Sequence, residues 1–396
     1  MSLRRVLVGI GSGIAAGYAV ARAFEAMREW RTPSPAVKKD AAAYARIRRS
    51  LEVVDTARST VGFLAFTNGP FACALDRVTR HAPVWLRPAL FFGPLSFCSA
   101  AASLPASFIQ EYTVERRFGL SDQARGSWLG EYLKSAVLAA GLAALLGALL
   151  GAVIRRAPRS WPWLASIGTL PLFIAGNIIV PLYVLPLFNR FEPVTGSLEE
   201  RLRRLAARFG VGDAAILRMD MSRQTRKANA FVTGIGRTHR IVLGDTLIQN
   251  FPENETEFVV AHELGHYVNK DTWRLIAFGE LLSTALFLIA NAAVSKNQPA
   301  ELRESPLLVA RIYAIMLLAT QMLRPLLFAF SRSREWAADR FAIAATRDPK
   351  GGAAAFARLR DQNLADEDPP GWYELFFSSH PSLRARIAAL EAFHED

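Results

Sequence analysis

Long, predominantly apolar runs constrain this chain more than any other feature, because about 20 such residues suffice to cross a bilayer as a helix. In hydrocarbon a lone segment has no water to bond its amides, so it must satisfy them within itself, which a helix does. Runs of this kind occupy about 6–24, 59–75, 84–109, 135–154, 162–187, 273–294 and 307–330. They predict a mainly α fold built on a seven-span α-helical membrane bundle. The second run is the weakest: Asn68, Gly69 and Pro70 interrupt it, and a re-entrant or interfacial segment is its other reading. The first follows Arg4 and Arg5 in the manner of a signal peptide, but no convincing small-residue cleavage site closes it. At 51% hydrophobic residues, the 396-residue chain is too apolar for an ordinary soluble domain.

The formal net charge of +12 fits the same picture, because multi-span proteins gather Lys and Arg in their cytoplasmic loops. Segment 25–58 carries Arg28, Arg31, Lys38, Lys39, Arg46, Arg48, Arg49 and Arg58, which places it inside. Seven spans then put the amino terminus outside. The loop with Arg116 and Arg117, the polar region 188–271 and the tail from 331 fall on the cytoplasmic side. Arg155, Arg156 and Arg159 land outside, against the rule. No basic stretch is interleaved with aromatics as base stacking requires, so the expected partners include the lipid bilayer and no nucleic acid. Two charges inside spans, Glu280 and Arg324, lie at similar depth on neighbouring antiparallel segments and are predicted to pair.

Within the polar region, His262-Glu263-Leu264-Gly265-His266 sets two imidazoles four apart with an acid after the first. On a helix both rings point the same way and can share one zinc ion, with Glu263 beside it as general base for a water. Phe258, Val259, Val260 and Ala261 precede it, as suits a buried helix. A helix whose histidines merely cap or pack is the other reading.

Two imidazoles do not complete a catalytic zinc site, which takes three protein ligands and leaves one position open. Cys73 and Cys98 are the only cysteines and lie in apolar stretches, so a thiolate site is excluded and the ligands must be nitrogen and oxygen. The candidate third ligand is Glu335, which shares a helical face with Asp339; Asp339 could then orient a ligating imidazole. A solvated charged face is the alternative for this pair. Two spans separate His266 from Glu335, and such a hairpin returns the chain to the same membrane face.

On these residues the chain resembles the type I CAAX prenyl endopeptidases, integral-membrane zinc peptidases of the gluzincin class. The resemblance is carried by HELGH, by Glu335 to Asp339, and by Tyr112 to Gln123, Leu185 to Val194, Lys227 to Leu247 and Ser379 to Ile387. It implies one zinc ion held by His262, His266 and Glu335, with Glu263 activating the water. It further implies a substrate-binding strand at Asn229, Ala230 and Phe231 and transition-state roles for His380 and Arg386, with Arg384 as an alternative donor. The residues themselves read as two short strands, 229–233 and 240–243, about the turn 234–238. An exposed edge there could pair with an extended substrate, or the hairpin could be purely structural.

The predicted organisation is a membrane bundle over 1–187, a cytoplasmic gluzincin-like α+β segment over 188–271 with the amphipathic helix 198–209, a membrane hairpin over 272–330, and a helical closing tail over 331–396. The catalytic domain is thus discontinuous in sequence. The predicted activity is hydrolysis of peptide bonds by a metal-activated water, in a monomer whose substrate is a peptide or protein, prenylated at its carboxyl terminus under the CAAX reading. Richness in Ala and Arg points to a GC-rich bacterium and hence the inner membrane. Prenylated CAAX proteins are not expected in such an organism, so two further readings stand beside the first, a quality-control metallopeptidase with unprenylated substrates and a non-catalytic zinc-stabilised scaffold or transporter. Serine hydrolysis has no G-x-S-x-G elbow to support it.

Overall fold

Among the described residues, apolar segments that must satisfy their own amides form helices, and one small four-stranded sheet accompanies them. The computed structural model describes residues 40–234, 238–294 and 304–393. Five helices among these residues are long and apolar enough to cross a membrane: Arg87–Arg117, Arg125–Arg156, Trp161–Leu187, Asp271–Ala293 and Pro306–Thr346. They correspond to five of the seven predicted spans. The run 6–24 lies outside the described residues, as do Arg28, Arg31, Lys38 and Lys39. The run 59–75 is not one span, being shared by α1 (Ala41–Asn68) and α2 (Pro70–Thr79). The break is at Gly69, which is extended (φ −91°, ψ 178°) as the residue before a proline prefers.

The chain divides into two compact units, each drawn from several stretches. One comprises residues up to Gly119, Tyr132–Arg159 and Ile289–Leu318. In it, Asp40 caps α1 by accepting from the Ala43 amide at 2.9 Å. Helix α3 (Arg87–Ser107) carries Pro94 and Pro105, and after the second it relaxes into a π-helical turn, Phe108–Thr113, before Val114–Arg117. Tyr44 ties α1 to that last turn by donating to Glu115 at 2.6 Å. The Phe92 ring packs on Gly147 of α4 (Arg125–Arg156), where a side chain would collide with it.

The other unit comprises Leu120–Glu131, Ser160–Leu288 and the chain from Ala319. After Leu120–Glu131 it takes in α5 (Trp161–Ile179), then β1 (Phe191–Pro193), α6 (Ser197–Arg208), β2 (Ala215–Met219), β3 (Ala230–Thr233) and β4 (Arg240–Gly244). Next come α7 (Asp245–Asn250), α8 (Glu253–Val268), α9 (Asp271–Ala293) up to Leu288, α10 (Pro306–Thr346) from Ala319, α11 (Pro349–Asn363), α12 (Gly371–Phe377) and α13 (Leu383–Glu391). The sheet order is β1-β2-β4-β3, with β2 and β4 parallel and the other pairs antiparallel. The expected hairpin is β3 and β4, in register from Ala230 opposite Leu243 to Thr233 opposite Arg240, and β3 is an outer strand.

Helix α6 buries Leu198, Leu202, Leu205 and Ala206, the spacing of one helical face. They join Ile216, Ile241 and Leu243 of the sheet and Phe258, Val260 and Leu264 of α8 in one core. That core fixes α8, and α8 carries the two imidazoles. Helix α10 crosses it closely at Gly265, where an added Cβ would lie 3.1 Å from Ala338 Cα and from the Phe341 ring. A side chain at this position would fit only if its neighbours on α10 gave way by a few tenths of an ångström.

The predicted pair of Glu280 and Arg324 does not form. Ser166 and Thr169 of α5 donate to the two oxygens of Glu280 at 2.6 and 2.7 Å. Arg324 instead donates to Gln321 and lies 4.9 Å from the centre of the Phe377 ring. Equal depth did not put the two on facing sides of their helices, and hydroxyls replaced the cation. In a double-mutant cycle of unfolding free energy, Glu280→Gln and Arg324→Gln should be additive within about 0.5 kcal/mol, and a coupling above about 1 kcal/mol would contradict this arrangement.

Candidate functional site

The spacing of His262 and His266 on α8 sets their rings side by side, with centroids 4.9 Å apart. Where α10 crosses at Gly265, Glu335 reaches both. Its Oε2 lies 3.3 Å from Nε2 of His262 and its Oε1 3.4 Å from Nε2 of His266. Ligand atoms of the three residues all fall within 4.8 Å of one another.

The opposite ring nitrogens are taken. His262 Nδ1 is 2.9 Å from Asp339 Oδ1, and His266 Nδ1 is 3.0 Å from Asp271 Oδ2. A metal-ligating imidazole at either position would carry its proton on Nδ1, facing a carboxylate, and turn the lone pair of Nε2 toward the site it shares with Glu335. Asp339 is held in turn by Arg386, whose Nη2 and Nε donate at 2.6 and 2.8 Å, and Arg386 Nη2 also lies 3.3 Å from His262 Nδ1. The guanidinium stacks 4.1 Å from the centre of the Phe356 ring and is buried. Asp271, 1% exposed at the start of α9, was not foreseen. Only its position five residues after His266 hints at it.

These residues fit a divalent metal. Ligands about 2.0–2.1 Å from a tetrahedral ion stand roughly 3.3 Å from each other, matching the two Nε2 to Glu335 separations. Glu335 Oε2 is also buried without a hydrogen bond, an orphan that a cation would satisfy. A nitrogen and oxygen donor set with carboxylates behind both imidazoles suits zinc.

Beside this cluster opens a cleft of about 330 Å³, lined among others by Asn229, Ala230, Glu263, His380 and Arg386. Burial raises the Glu263 carboxyl above the usual carboxylate range, against the lowering effect of the His262 and His266 imidazoles. A carboxylate so placed is a better proton acceptor than one in water. His380 stands at the rim with its ring 61% exposed and Nε2 3.4 Å from Glu335 Oε1. Asn229 and Ala230 reach the cleft, whereas Phe231, the next residue of β3, does not line it. Arg384 pairs with Asp368 at 2.8 Å on the surface and is likewise absent from the lining.

Comparison with known proteins decides the family. Residues 193–394 match the model of peptidase family M48, and residues 32–190 match that of the CAAX prenyl protease N-terminal region, described as five membrane helices. The chain belongs to peptidase family M48. It is a membrane metalloendopeptidase. It is 27% identical over 368 residues to an uncharacterized metalloprotease, YhfN, of Bacillus subtilis, covering 86% of this chain and 85% of that protein. It is 26% identical over 332 residues to CAAX prenyl protease 1 of Saccharomyces cerevisiae, covering 77% and 72%. The crystal structure of S. mikatae Ste24p superposes with a TM-score of 0.78 over 98% of this chain and 99% of that one; at 21% identity the likeness is one of fold.

For this M48 chain, loss of the carboxylate behind His262 should loosen the metal cluster. Asp339→Ala is expected to weaken metal retention about 10- to 100-fold in a competition titration with a chelator. An unchanged midpoint would mean that Asp339 does not orient the imidazole.

Proposed function

We propose that this chain is a zinc-dependent endopeptidase of the type I CAAX prenyl protease kind. The observation that carries the reading is the convergence of His262, His266 and Glu335 at 3.3–3.4 Å, with Glu263 in the adjoining cleft. His262, His266 and Glu335 are assigned as the ligands of one zinc ion per chain, and Asp339 and Asp271 hold the imidazoles in the ligating tautomer. When bound, zinc supplies a Lewis acid that polarises the scissile carbonyl and makes a water acidic enough to attack at neutral pH.

The residues do the rest. Glu263 takes the proton of the attacking water and delivers it to the departing amine, so that one carboxyl serves as base and then as acid. His380 donates from the rim to the carbonyl oxygen as negative charge develops there. Arg386 holds Asp339 with Nε and Nη2, which leaves Nη1, 3.6 Å from Glu335 Oε2, to add positive potential on the same side. The substrate strand is assigned to Asn229, Ala230 and Phe231, of which Ala230 turns its backbone outward to pair with an extended substrate. No covalent acyl-enzyme is needed.

We assign the catalytic region to the cytoplasmic side, on the Lys and Arg asymmetry of the loops, and the working form to a monomer. The division at 1–187, 188–271, 272–330 and 331–396 is proposed as membrane bundle, α+β segment, membrane hairpin and closing tail. The substrate is proposed to be a protein prenylated near its carboxyl terminus, on the likeness to CAAX prenyl protease 1.

The test is incubation of the purified protein with a farnesylated CAAX peptide and with an unprenylated membrane peptide, each with and without chelator. Chelator-sensitive cleavage of the farnesylated peptide is expected. Cleavage of the unprenylated peptide alone would move the substrate to the quality-control class, and no cleavage of either would sink the peptidase reading. Glu263→Gln should lower turnover by about 10²- to 10⁴-fold while metal content stays at the wild-type level. Undiminished turnover would remove Glu263 from its role.

A further inference from the structure

The outer edge of β3 is not open along its whole length. In an antiparallel pair, residues alternate between those that exchange hydrogen bonds with the partner strand and those whose amide groups turn away. The Gly244 amide donates to the Asn229 carbonyl at 2.9 Å, so Asn229, and with it Phe231 and Thr233, face β4. Ala228, Ala230 and Val232 therefore turn their N–H and C=O groups to the free side of the sheet.

At Ala228 that side is already occupied. The Asn363 side chain accepts from the Ala228 amide at 2.8 Å through Oδ1 and donates to the Ala228 carbonyl at 3.1 Å through Nδ2. One primary amide thus makes both bonds that a residue on an added strand would make. The position is firmly held. Asn363 ends α11, where Leu364 adopts the left-handed conformation (φ 49°) that closes the helix. Its neighbour Gln362 donates to the Arg226 carbonyl at 2.7 Å, and from the opposite side Thr246 donates to the Lys227 carbonyl at 2.7 Å. Beyond the amide, Ala365, Asp366 and Pro369 line the same cleft.

We propose that Asn363 is a specificity-determining stop for the substrate strand. An extended peptide can pair with Ala230 and Val232, but at Ala228 it meets the Asn363 amide and must end or turn away from the sheet. The cleft then accepts only a bounded number of residues on one side of the scissile bond and is permissive on the other. This inference rests on the peptidase reading and on β3 as the substrate strand, and it gives that strand a register and an end.

The experiment is a series of fluorogenic peptides that share one cleaved sequence and grow by single residues on either side. For the wild-type protein, kcat/KM should drop about tenfold past a fixed length on one side only, the scale of two forfeited backbone hydrogen bonds. Asn363→Ala removes both arms of the stop, and the ratio of long to short peptide should rise toward one on that side alone. Asn363→Asp keeps the acceptor for the Ala228 amide and loses the donor to its carbonyl, so it reads the same ratio should the alanine variant fail to fold. Identical length profiles in wild type and variants, or a wild type with no length limit, overturn the stop while leaving the peptidase reading intact. A wild type that cleaves no peptide of the series overturns that reading, and the stop falls with it.

Discussion

A carboxylate taken out of water is the constraint on which this site depends. Glu335 is 5% exposed, and one of its oxygens makes no hydrogen bond. Isolating such an anion costs several kcal/mol even after relaxation, so positive charge must meet it. Against the effect of burial, the neighbouring carboxylates favour protonation of both imidazoles, which is one way to supply that charge; imidazoles that turn Nε2 lone pairs inward at 3.3–3.4 Å instead share a cation with Glu335. A divalent cation among the three resolves the conflict, and the surrounding structure is arranged to keep them in place. The apolar core fixes α8, Gly265 lets α10 come close, and the chain of Arg386, Asp339 and His262 fastens the C-terminal helix α13 to the cluster.

Much of this was legible in the sequence because it follows from helical periodicity. His262, Glu263 and His266 lie within five residues, and Glu335 and Asp339 are one helical turn apart, so their common faces could be read directly. The same holds for the apolar spans and for the break at Asn68-Gly69-Pro70. What escaped reading depends on how elements meet. Asp271 supports His266 only because α9 starts where it does. Gly265 has no side chain to single it out inside the motif, yet it is the point at which two helices touch. Strands β1 and β2 are short and gave no alternation long enough to notice. Asn363 is one amide at a helix end, and nothing local marks it as a partner of Ala228. The pairing of Glu280 with Arg324 failed for a related reason: depth along a span is readable, but rotation about its axis is not.

The route from fold to chemistry is short. Family membership fixes the class of enzyme, and the likeness to Ste24p fixes the fold, while the discrimination among substrates is left to a few side chains around one cleft. In the proposed function, three parts of that cleft are assigned to different portions of a peptide. Under the proposed mechanism the buried cluster faces the reacting carbonyl, Glu263 the proton, and the edge of β3 the backbone of the substrate. Most of these groups sit on α8, α10 and the sheet, packed elements rather than mobile loops, as positioning a reaction to within fractions of an ångström requires.

The measurement that bears most directly on the account is the metal content of the purified protein compared with that of Glu335→Ala, determined by elemental analysis after dialysis. One equivalent of zinc per chain in the wild type and a small fraction of that in the variant is the predicted result. A wild type without bound metal, or a variant that keeps a full equivalent, would contradict the claim that Glu335 and the two imidazoles together hold the ion.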